Sequence, residues 1–339
     1  MATKTQRCNT CGRTLVKMPG SQFEACPVCQ AVNLFNQKIK GRVLFRVGQF
    51  MNAAATQYKQ ELSSQNHGRK RAVLCGITYN GHKKKLEASV HNVQSMQQLL
   101  VKKLGFPNDS ILILTEEESN RSRIPTKRNI LVSLQWLVKG SQSGDSLLFY
   151  YAGHGCRVPD EDGDETDGYD EALCPLDYKN EGLILDDEIN ATIVAPLTHG
   201  VTLHSVVDTC FSGTLLDLPF LCTMNQDGLY RWDNEHQLTN KGTRGGKAVC
   251  ISACADNQNS ADTSAFTDKA IGALTYSFIQ TFESESKLTY GRLLSCMRRK
   301  VNLAQQVVGR FMPHASSMSQ EPQLSSSKRF EIYSEHIII

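Results

Sequence analysis

The chain has 339 residues, 40% of them hydrophobic and 21% charged, which is typical of a water-soluble protein with one large domain and a small appendage. Its formal net charge of +3 is too small to indicate a nucleic-acid or membrane partner. No run approaches the roughly 18 apolar residues of a membrane span, and Met1 to Thr5 is polar, without an apolar signal core. We therefore expect a cytoplasmic protein, with the nucleus as a further location.

The N-terminal residues 1–34 contain two CxxC pairs, Cys8 with Cys11 and Cys26 with Cys29, separated by fourteen residues. Zinc prefers four soft ligands in a tetrahedron, and a two-residue gap lets two thiolates of one tight turn reach the same ion. The alternatives are two chance pairs or a redox dithiol, but a redox motif has a single CxxC near a βαβ pattern. We predict a small zinc ribbon with one structural Zn²⁺, unfolded without metal because so short a piece buries little core. Its few basic residues favour a docking or regulatory role over DNA binding.

Residues 35–70 are predicted to form a flexible linker, because they are rich in Gln, Asn and Lys and show little apolar periodicity. Beyond them, residues 71–339 alternate short apolar runs with amphipathic stretches. The predicted strands are Ala72–Tyr79, Ser110–Thr115, Ser146–Ala152, Val201–Asp208, Ala248–Ala253 and Arg329–Tyr333. The predicted helices are Leu86–Leu104, Pro125–Val138, Ile271–Phe282 and Tyr290–Val301. This alternation predicts an α/β domain with a mostly parallel sheet flanked by helices, and the aperiodic segment 222–247 is predicted to be a long exposed loop.

Two of the predicted strands end in residues suited to catalysis. Ser146–Ala152 leads into Gly-His154-Gly, and Val201–Asp208 leads into Thr-Cys210-Phe-Ser-Gly. Sites in open parallel sheets form beyond the carboxyl ends of strands, so both side chains are expected in one crevice. A thiol nucleophile beside an imidazole that promotes its deprotonation and protonates the leaving amine forms a peptidase pair. The amides around Gly155 and Cys210 are candidates for an oxyanion hole.

The two boxes, Tyr-Ala-Gly-His-Gly around His154 and Asp-Thr-Cys-Phe-Ser-Gly around Cys210, resemble those of metacaspases, peptidases of plants, fungi and protists related to caspases. The resemblance covers essentially the whole chain and includes the acidic segments 167–171, 186–190 and 260–263. With the N-terminal zinc finger, the chain is most similar to type I plant metacaspases. This implies a caspase-like fold. Its parts would be a large-subunit-like region over about 71–222, a loop over about 223–247 and a small-subunit-like region over about 248–339.

The resemblance also implies cleavage after Arg or Lys in an acidic pocket, activation by Ca²⁺ and self-processing of a zymogen, with a role in regulated cell death or stress. Asp208 matches a pocket carboxylate that would pair with the basic side chain of a substrate. The matched calcium ligands are Asp170, Asp186, Asp187 and Asp217. Ca²⁺ binds several hard oxygen ligands, and the adjacent Asp186 and Asp187 are unfavourable neighbours without a cation.

Two positions depart from the metacaspase pattern. The family usually has Asp where this chain has Asn92, and commonly Ser where it has Ala152. The substrate pocket would therefore keep Asp208 but lose one carboxylate and one hydroxyl. We expect cleavage after Arg or Lys to be weaker than in a metacaspase with both groups.

The sequence therefore predicts a monomeric, Ca²⁺-responsive cysteine endopeptidase with a zinc-finger prodomain and protein substrates that carry Arg or Lys at the cleaved position. The basic linker and the 222–247 segment offer processing sites, the latter at Arg231, Lys241, Arg244 and Lys247. The alternative is a catalytically weak regulator that binds metacaspases or cell-death regulators through its finger. The altered pocket favours this alternative, whereas the intact His154 and Cys210 oppose it.

Overall fold

The computed structural model describes residues 5–7, 13–16, 23–25, 32–34, 69–160, 168–209, 212–225, 227–234, 241–253, 262–263, 271–311 and 321–339. The strands are β1 (Thr5–Arg7), β2 (Thr14–Val16), β3 (Phe23–Ala25), β4 (Val32–Leu34), β5 (Lys70–Gly76), β6 (Ile111–Leu114), β7 (Ser146–Ala152), β8 (Gly155–Pro159), β9 (Tyr169–Leu173), β10 (Ile184–Leu185), β11 (Thr202–Asp208), β12 (Phe220–Met224), β13 (Tyr230–Asn234), β14 (Lys247–Ser252), β15 (Asp262–Thr263), β16 (Ile271–Gly272) and β17 (Gln323–Ser326). The helices are α1 (Ser89–Lys102), α2 (Lys127–Val138), α3 (Tyr178–Glu181), α4 (Asp186–Ile189), α5 (Ala273–Ser284) and α6 (Tyr290–Phe311), and a π-helical turn covers Asn190–Val194.

The central sheet has eight strands in the order β13-β12-β17-β14-β11-β7-β5-β6. In this order the neighbouring strands β14, β11, β7, β5 and β6 run parallel to one another. Strands β17, β12 and β13 are antiparallel to their neighbours. Strand β7 shows why the sheet lies inside the domain, since all its residues are buried. Leu147, Phe149 and Tyr151 belong to the core on one face, and Leu148 and Tyr150 to the core on the other. A parallel strand covered on both faces reads as a continuous apolar run.

Helices cover both faces of this sheet. The apolar stripe of α1, with Val93, Met96 and Leu100, packs on the face that also receives α5 and α6. On the opposite face α2 contributes Ile130 and Leu134 to the core that also contains Phe149 and Tyr151. None of the helices in the described ranges is long and apolar enough to cross a membrane.

Five of the six predicted strands are confirmed as β5, β6, β7, β11 and β14. The sixth, Arg329–Tyr333, is wrong, because the strand lies earlier in the chain, at β17. Of the four β17 residues only Leu324 is strongly apolar, so the segment carries little strand signal, yet it is buried between β12 and β14. The apolar residues at 329–333 serve packing instead, with Phe330 against the Trp232 ring and Ile332 in the core.

The four predicted helices are confirmed as α1, α2, α5 and α6, with different ends. Helix α2 begins at Lys127 rather than Pro125, because the side chain of Thr126 caps it by accepting a hydrogen bond from the Asn129 amide at 3.3 Å. Helix α1 begins at Ser89, and α6 continues to Phe311.

The prediction of one long exposed loop over 222–247 is wrong for its first part, which belongs to the antiparallel hairpin β12–β13. Alternate residues of β13, Tyr230 and Trp232, pack against the core, and the indole of Trp232 donates a hydrogen bond to the Phe330 carbonyl at 2.9 Å. Alternation of apolar and polar residues predicts a strand, but here only two aromatic residues show it in a polar segment, so the sequence signal for β13 is weak. Beyond the hairpin, residues 241–246 form no helix or strand.

In the N-terminal region the described residues form two antiparallel pairs, β1 with β2 and β3 with β4. The four cysteines of the predicted zinc ribbon lie outside the described residues, as do residues 35–68 of the predicted linker. Each CxxC pair falls in the sequence between the two strands of one hairpin. Strand β4 also pairs in parallel with β8 through Val32 and Cys156, so the second sheet has the order β10-β9-β8-β4-β3.

Candidate active site

The carboxyl ends of β7 and β11 lie side by side at one edge of the central sheet. The two strands are parallel, and Ala152 at the end of β7 is the register partner of Asp208 at the end of β11. His154 follows Ala152 by two residues, and Cys210 follows Asp208 by the same interval. Cys210 lies outside the described residues, so its side chain is not placed. The register nevertheless brings the two strand ends that lead to this pair to the same edge.

His154 is held both through its ring and through its backbone. Its Nε2 is 2.8 Å from the backbone carbonyl oxygen of Lys84, and its backbone amide donates a hydrogen bond to the Tyr79 hydroxyl at 2.9 Å. Because a carbonyl oxygen only accepts, Nε2 carries the hydrogen and Nδ1 is the basic nitrogen of the neutral ring. Burial lowers the pKa of His154; the Lys84 carbonyl opposes this, and the charges of Lys84 and His82 add to it. The lowered pKa favours the neutral ring, in which Nδ1 is the nitrogen that can accept a proton.

Three residues that support His154 were not predicted from the sequence: Tyr79, Lys84 and Glu116. Tyr79 has a φ of 57°, in the left-handed region, and its ring packs on the His154 ring with 4.6 Å between centroids. The Glu116 carboxylate accepts hydrogen bonds from the amides of Thr78 at 2.6 Å and Tyr79 at 2.7 Å, which fixes the loop that leads to Lys84. An acidic residue two positions after β6, at the same sheet edge, was the available signal for Glu116. Lys84 acts through its backbone, so its side chain gives no signal.

Asp208 is 7% exposed and anchors the start of α5. Its Oδ2 accepts hydrogen bonds from the Thr275 amide at 3.1 Å and the Thr275 hydroxyl at 2.5 Å. That hydroxyl also lies 2.6 Å from the Tyr150 hydroxyl. The carboxylate thus satisfies an amide in the first turn of α5, as a capping side chain does. Thr275 and Tyr150 fix the position of the predicted pocket anion, and neither was foreseen.

The three predicted pocket positions lie in one place. Asn92 is 2% exposed, and its Oδ1 accepts a hydrogen bond from the Gly272 amide at 3.2 Å. A Cβ at Gly272 would lie 2.1 Å from Asp208 Oδ2 and 3.0 Å from Asn92 Nδ2, so the glycine passes between the two side chains where no other residue fits. Ala152 is buried and is the register partner of Asp208. The structure therefore brings Asn92, Ala152 and Asp208 together.

The four predicted calcium ligands fall in a second acidic region, with Glu171 beside them. Asp186 is 1% exposed and Asp217 is 0% exposed. Burial raises the pKa of Asp186 well above its usual range, and the charges of Asp217, Glu171 and Asp170 raise it further. Asp186 accepts hydrogen bonds from the amides of Glu171 at 2.7 Å and Asp187 at 2.8 Å, and the one from Glu171 opposes the rise only in part. So many carboxyl groups in one region favour a cation.

Among the described residues, the cationic side chains of Lys241 and Arg157 contact this acidic region. Lys241 places its Nζ 2.9 Å from Asp187 Oδ1 and 2.9 Å from Asp217 Oδ2. Arg157 places its Nε 3.0 Å from Glu171 Oε1. Within the described residues, no three carboxyl, imidazole or thiol groups are close enough together to hold a metal ion as they stand. The residues nevertheless fit Ca²⁺ in their chemistry, because they are hard oxygen donors and already surround the positive charge of an ammonium group.

The comparisons with known proteins agree with this geometry. The family described as "Metacaspase, peptidase C14 domain" matches residues 70–219. Metacaspase-3 of Arabidopsis thaliana is 40% identical over 363 aligned positions that cover 100% of both chains. Metacaspase-1 of Arabidopsis thaliana is 47% identical over 287 positions, which cover 79% of this chain and 78% of the relative.

Among solved structures, the crystal structure of protein GSU0716 from Geobacter sulfurreducens matches with a TM-score of 0.50 and 20% identity, over 78% of this chain and 95% of that chain. At this identity the match shows a shared fold alone. The matched peptidase C14 domain and the order of the central sheet confirm the predicted caspase-like α/β architecture with a mostly parallel sheet. Because Metacaspase-3 matches over the whole of both chains, Metacaspase-1 over most of both, and the peptidase C14 domain over residues 70–219, the chain belongs to the metacaspase family of cysteine peptidases.

Proposed function

We propose that this metacaspase cleaves its protein substrates after Arg or Lys. The observation that carries the proposal is Asp208, a buried carboxylate at the sheet edge where β7 leads to His154. Its Oδ2 accepts hydrogen bonds from the amide and the hydroxyl of Thr275, which hold the carboxylate at this edge. A guanidinium or ammonium group of the substrate would add charge-assisted hydrogen bonds, each worth roughly 1.5–3 kcal/mol.

In the proposed reaction, Sγ of Cys210 attacks the carbonyl carbon of the scissile bond and its proton passes to Nδ1 of His154. The hydrogen bond from Nε2 to the Lys84 carbonyl keeps Nδ1 available as the base and stabilises the imidazolium that forms. The imidazolium then protonates the leaving amine, which leaves a thioester on Cys210 that water hydrolyses. The amides around Gly155 and Cys210 are proposed to stabilise the oxyanion.

Activation by Ca²⁺ is part of the proposal, with Asp170, Asp186, Asp187 and Asp217 as ligands. A bound Ca²⁺ would supply the positive charge that offsets the repulsion among these carboxylates. Asp170 lies on β9, which pairs with β8 along its length, and β8 begins directly after His154. One pair of strands therefore connects the acidic region to the proposed base.

A structural Zn²⁺ in the N-terminal region is likewise proposed, with Cys8, Cys11, Cys26 and Cys29 as ligands. The position of each CxxC pair between the strands of a hairpin supports it, since a zinc knuckle is a tight turn between two strands. We expect one zinc per chain, lost when Cys26 and Cys29 are replaced by Ser, and we propose that this module docks regulatory proteins. Metal analysis that finds no zinc in the full-length chain would remove the finger from the proposal.

The setting that we propose is a monomeric zymogen of the cytoplasm, present also in the nucleus, which processes itself in regulated cell death or stress. Of the four basic residues between 222 and 247, Lys247 lies at the start of β14 and pairs with Glu335, so its bond is the least accessible. Arg231 lies on β13 with its side chain exposed.

A second candidate is a catalytically weak regulator that binds other metacaspases or cell-death regulators through the N-terminal module. Two observations favour it. The Asp208 carboxylate is already engaged by Thr275, and the neighbouring positions 92 and 152 carry no charge. In this case the pocket would bind basic substrates too weakly for turnover.

The deciding experiment is incubation of the purified full-length chain with fluorogenic peptides that end in Arg, Lys or Asp, with Ca²⁺ or with a chelator. The peptidase proposal expects cleavage of the Arg and Lys peptides only, and only with Ca²⁺. The Cys210→Ala variant serves as the control that excludes a contaminating peptidase. If no peptide is cleaved while the N-terminal module still binds zinc, the regulator is favoured.

A further inference from the structure

Lys241 lies where the proposed calcium ligands meet. Its ammonium group is equally distant, at 2.9 Å, from Asp187 Oδ1 and Asp217 Oδ2. A Ca²⁺ ion takes its oxygen ligands at 2.3–2.6 Å, only slightly closer. A point that is shared by two carboxylates and already occupied by a positive charge is a suitable position for a metal ion. The same point cannot hold both cations.

The ion pair differs from an ordinary surface salt bridge. The Lys241 side chain is 13% exposed, and Asp217 is completely buried with a φ of 50°, in the left-handed region. Surface pairs add little stability, whereas removing one partner of a buried pair leaves an uncompensated charge. Lys241 is therefore a substantial part of what stabilises the acidic region in the absence of metal.

The backbone that follows Lys241 is anchored to the domain. Arg244 forms a β-bridge with Thr198, and the Gly246 amide donates a hydrogen bond to the Leu197 carbonyl at 3.1 Å. The side chain of Lys241 thus reaches the acidic region from a fixed support a few residues away. Its ammonium group can leave the aspartates while residues 244–246 keep these bonds.

We propose that Lys241 is an internal cation of the acidic region, which Ca²⁺ must displace in order to bind. This rests on the proposed binding of Ca²⁺ by Asp170, Asp186, Asp187 and Asp217. Two consequences follow by linkage. Lys241 sets the calcium concentration at which the enzyme responds, and calcium binding exposes Lys241, one of the candidate processing sites, to solvent.

The first test measures calcium affinity by titration calorimetry on the full-length chain in the Cys210→Ala background, which prevents self-processing. If Lys241 occupies the site most of the time, removing it should tighten calcium binding about tenfold or more, because the apparent affinity is reduced by the fraction of competent sites. The variants are Lys241→Gln, which removes the charge, and Lys241→Arg, which keeps it. Lys328→Gln is the matched control: it removes one charge from an exposed lysine whose Nζ bonds Gly245 in the same segment.

The second test follows Lys241 itself. Trypsin should cut the Lys241–Gly242 bond slowly with a chelator present and much faster with Ca²⁺, as measured by mass spectrometry against the bond after Arg231. Thermal melting should show Lys241→Gln destabilised in the chelator and rescued by Ca²⁺. If calcium binds equally well to the parent, Lys241→Gln and Lys328→Gln chains, the inference is overturned while the calcium site stands. If the parent chain binds no calcium at all, both the inference and the calcium part of the proposed function fail.

Discussion

The molecule buries aspartates in two regions and satisfies them in different ways. Asp208 is held by the amide and hydroxyl of Thr275, which are neutral donors. Asp187 and Asp217 are held by the ammonium group of Lys241, and Asp186 lies among further carboxylates. Both regions are proposed to bind a cation.

The difference indicates two kinds of cation site. In our proposal the Asp208 carboxylate binds a substrate side chain that comes and goes. Burial and the charges of the neighbouring carboxylates raise the pKa of Asp186, so a cation is favoured in the second region throughout. Lys241 supplies that cation until a metal ion replaces it, in our proposal. The first region is therefore suited to specificity and the second to regulation.

The largest expected effect concerns the proposed nucleophile, Cys210, and leaves both acidic regions unchanged. Cys210→Ala should lower kcat by about 10⁴-fold or more, because no attacking group remains. Calcium binding and the melting temperature should stay unchanged, as measured by calorimetry. Cys222→Ala is the matched control: burial raises the pKa of Cys222 to about 12, so it is not a nucleophile, and its loss should leave activity in place. Residual activity above a few per cent in Cys210→Ala would contradict the assignment.

The next effect concerns the regulatory region alone. Replacing Asp186 and Asp187 together by Asn should raise the calcium concentration for half-maximal activity by about 100-fold, because two anionic ligands are withdrawn. The KM for an Arg-ending peptide at saturating Ca²⁺ should change little. The measurement is a calcium titration of initial rates with one peptide. An unchanged half-maximal concentration would show that these aspartates are structural.

Substitutions in the Asp208 pocket should change kcat/KM and leave calcium affinity unchanged. Asp208→Asn should lower kcat/KM for an Arg-ending peptide by about 10- to 100-fold at every calcium concentration, since one charge-assisted hydrogen bond is lost. Thr275→Val keeps the carboxylate but removes its hydroxyl donor, so we expect a smaller fall, with Thr275→Ser as the variant that preserves it. Calcium affinity should not move in any of the three. A shift in calcium affinity with Asp208→Asn would show that the pocket and the calcium region act as one site and would contradict their separate roles.

The smallest effect is a gain. Asn92→Asp together with Ala152→Ser should raise kcat/KM for the Arg-ending peptide by about tenfold, by restoring one carboxylate and one hydroxyl near Asp208. The new carboxyl group is buried beside Asp208, so its pKa should be raised, and the gain should appear only as the pH increases through that pKa. The ratio of double variant to parent is measured at several pH values. A flat or lowered ratio would show that the pocket serves another side chain.

Local signals in the sequence were sufficient for the parallel part of the fold. Strand β7 has the predicted bounds, Ser146–Ala152, because a strand buried on both faces is continuously apolar. The stripe of Val93, Met96 and Leu100 predicted α1 from its spacing alone. The short boxes around His154 and Cys210 were sufficient to indicate the metacaspase family. Such features depend on neighbours within a few positions of the chain.

Only the tertiary structure decided the contacts between distant segments. The Lys84 carbonyl is 70 positions from His154, Thr275 is 67 from Asp208, and Lys241 is 24 from Asp217. Strand β17 was missed for the same reason, since Ser325 and Ser326 become strand residues by pairing with β12 and β14. A hydrogen bond or an ion pair between distant residues leaves no periodic trace in either segment. The sequence by itself therefore determined the strands of the parallel sheet and the metacaspase family, and the packing of the sheet edge decided which residues hold His154 and Asp208 in place.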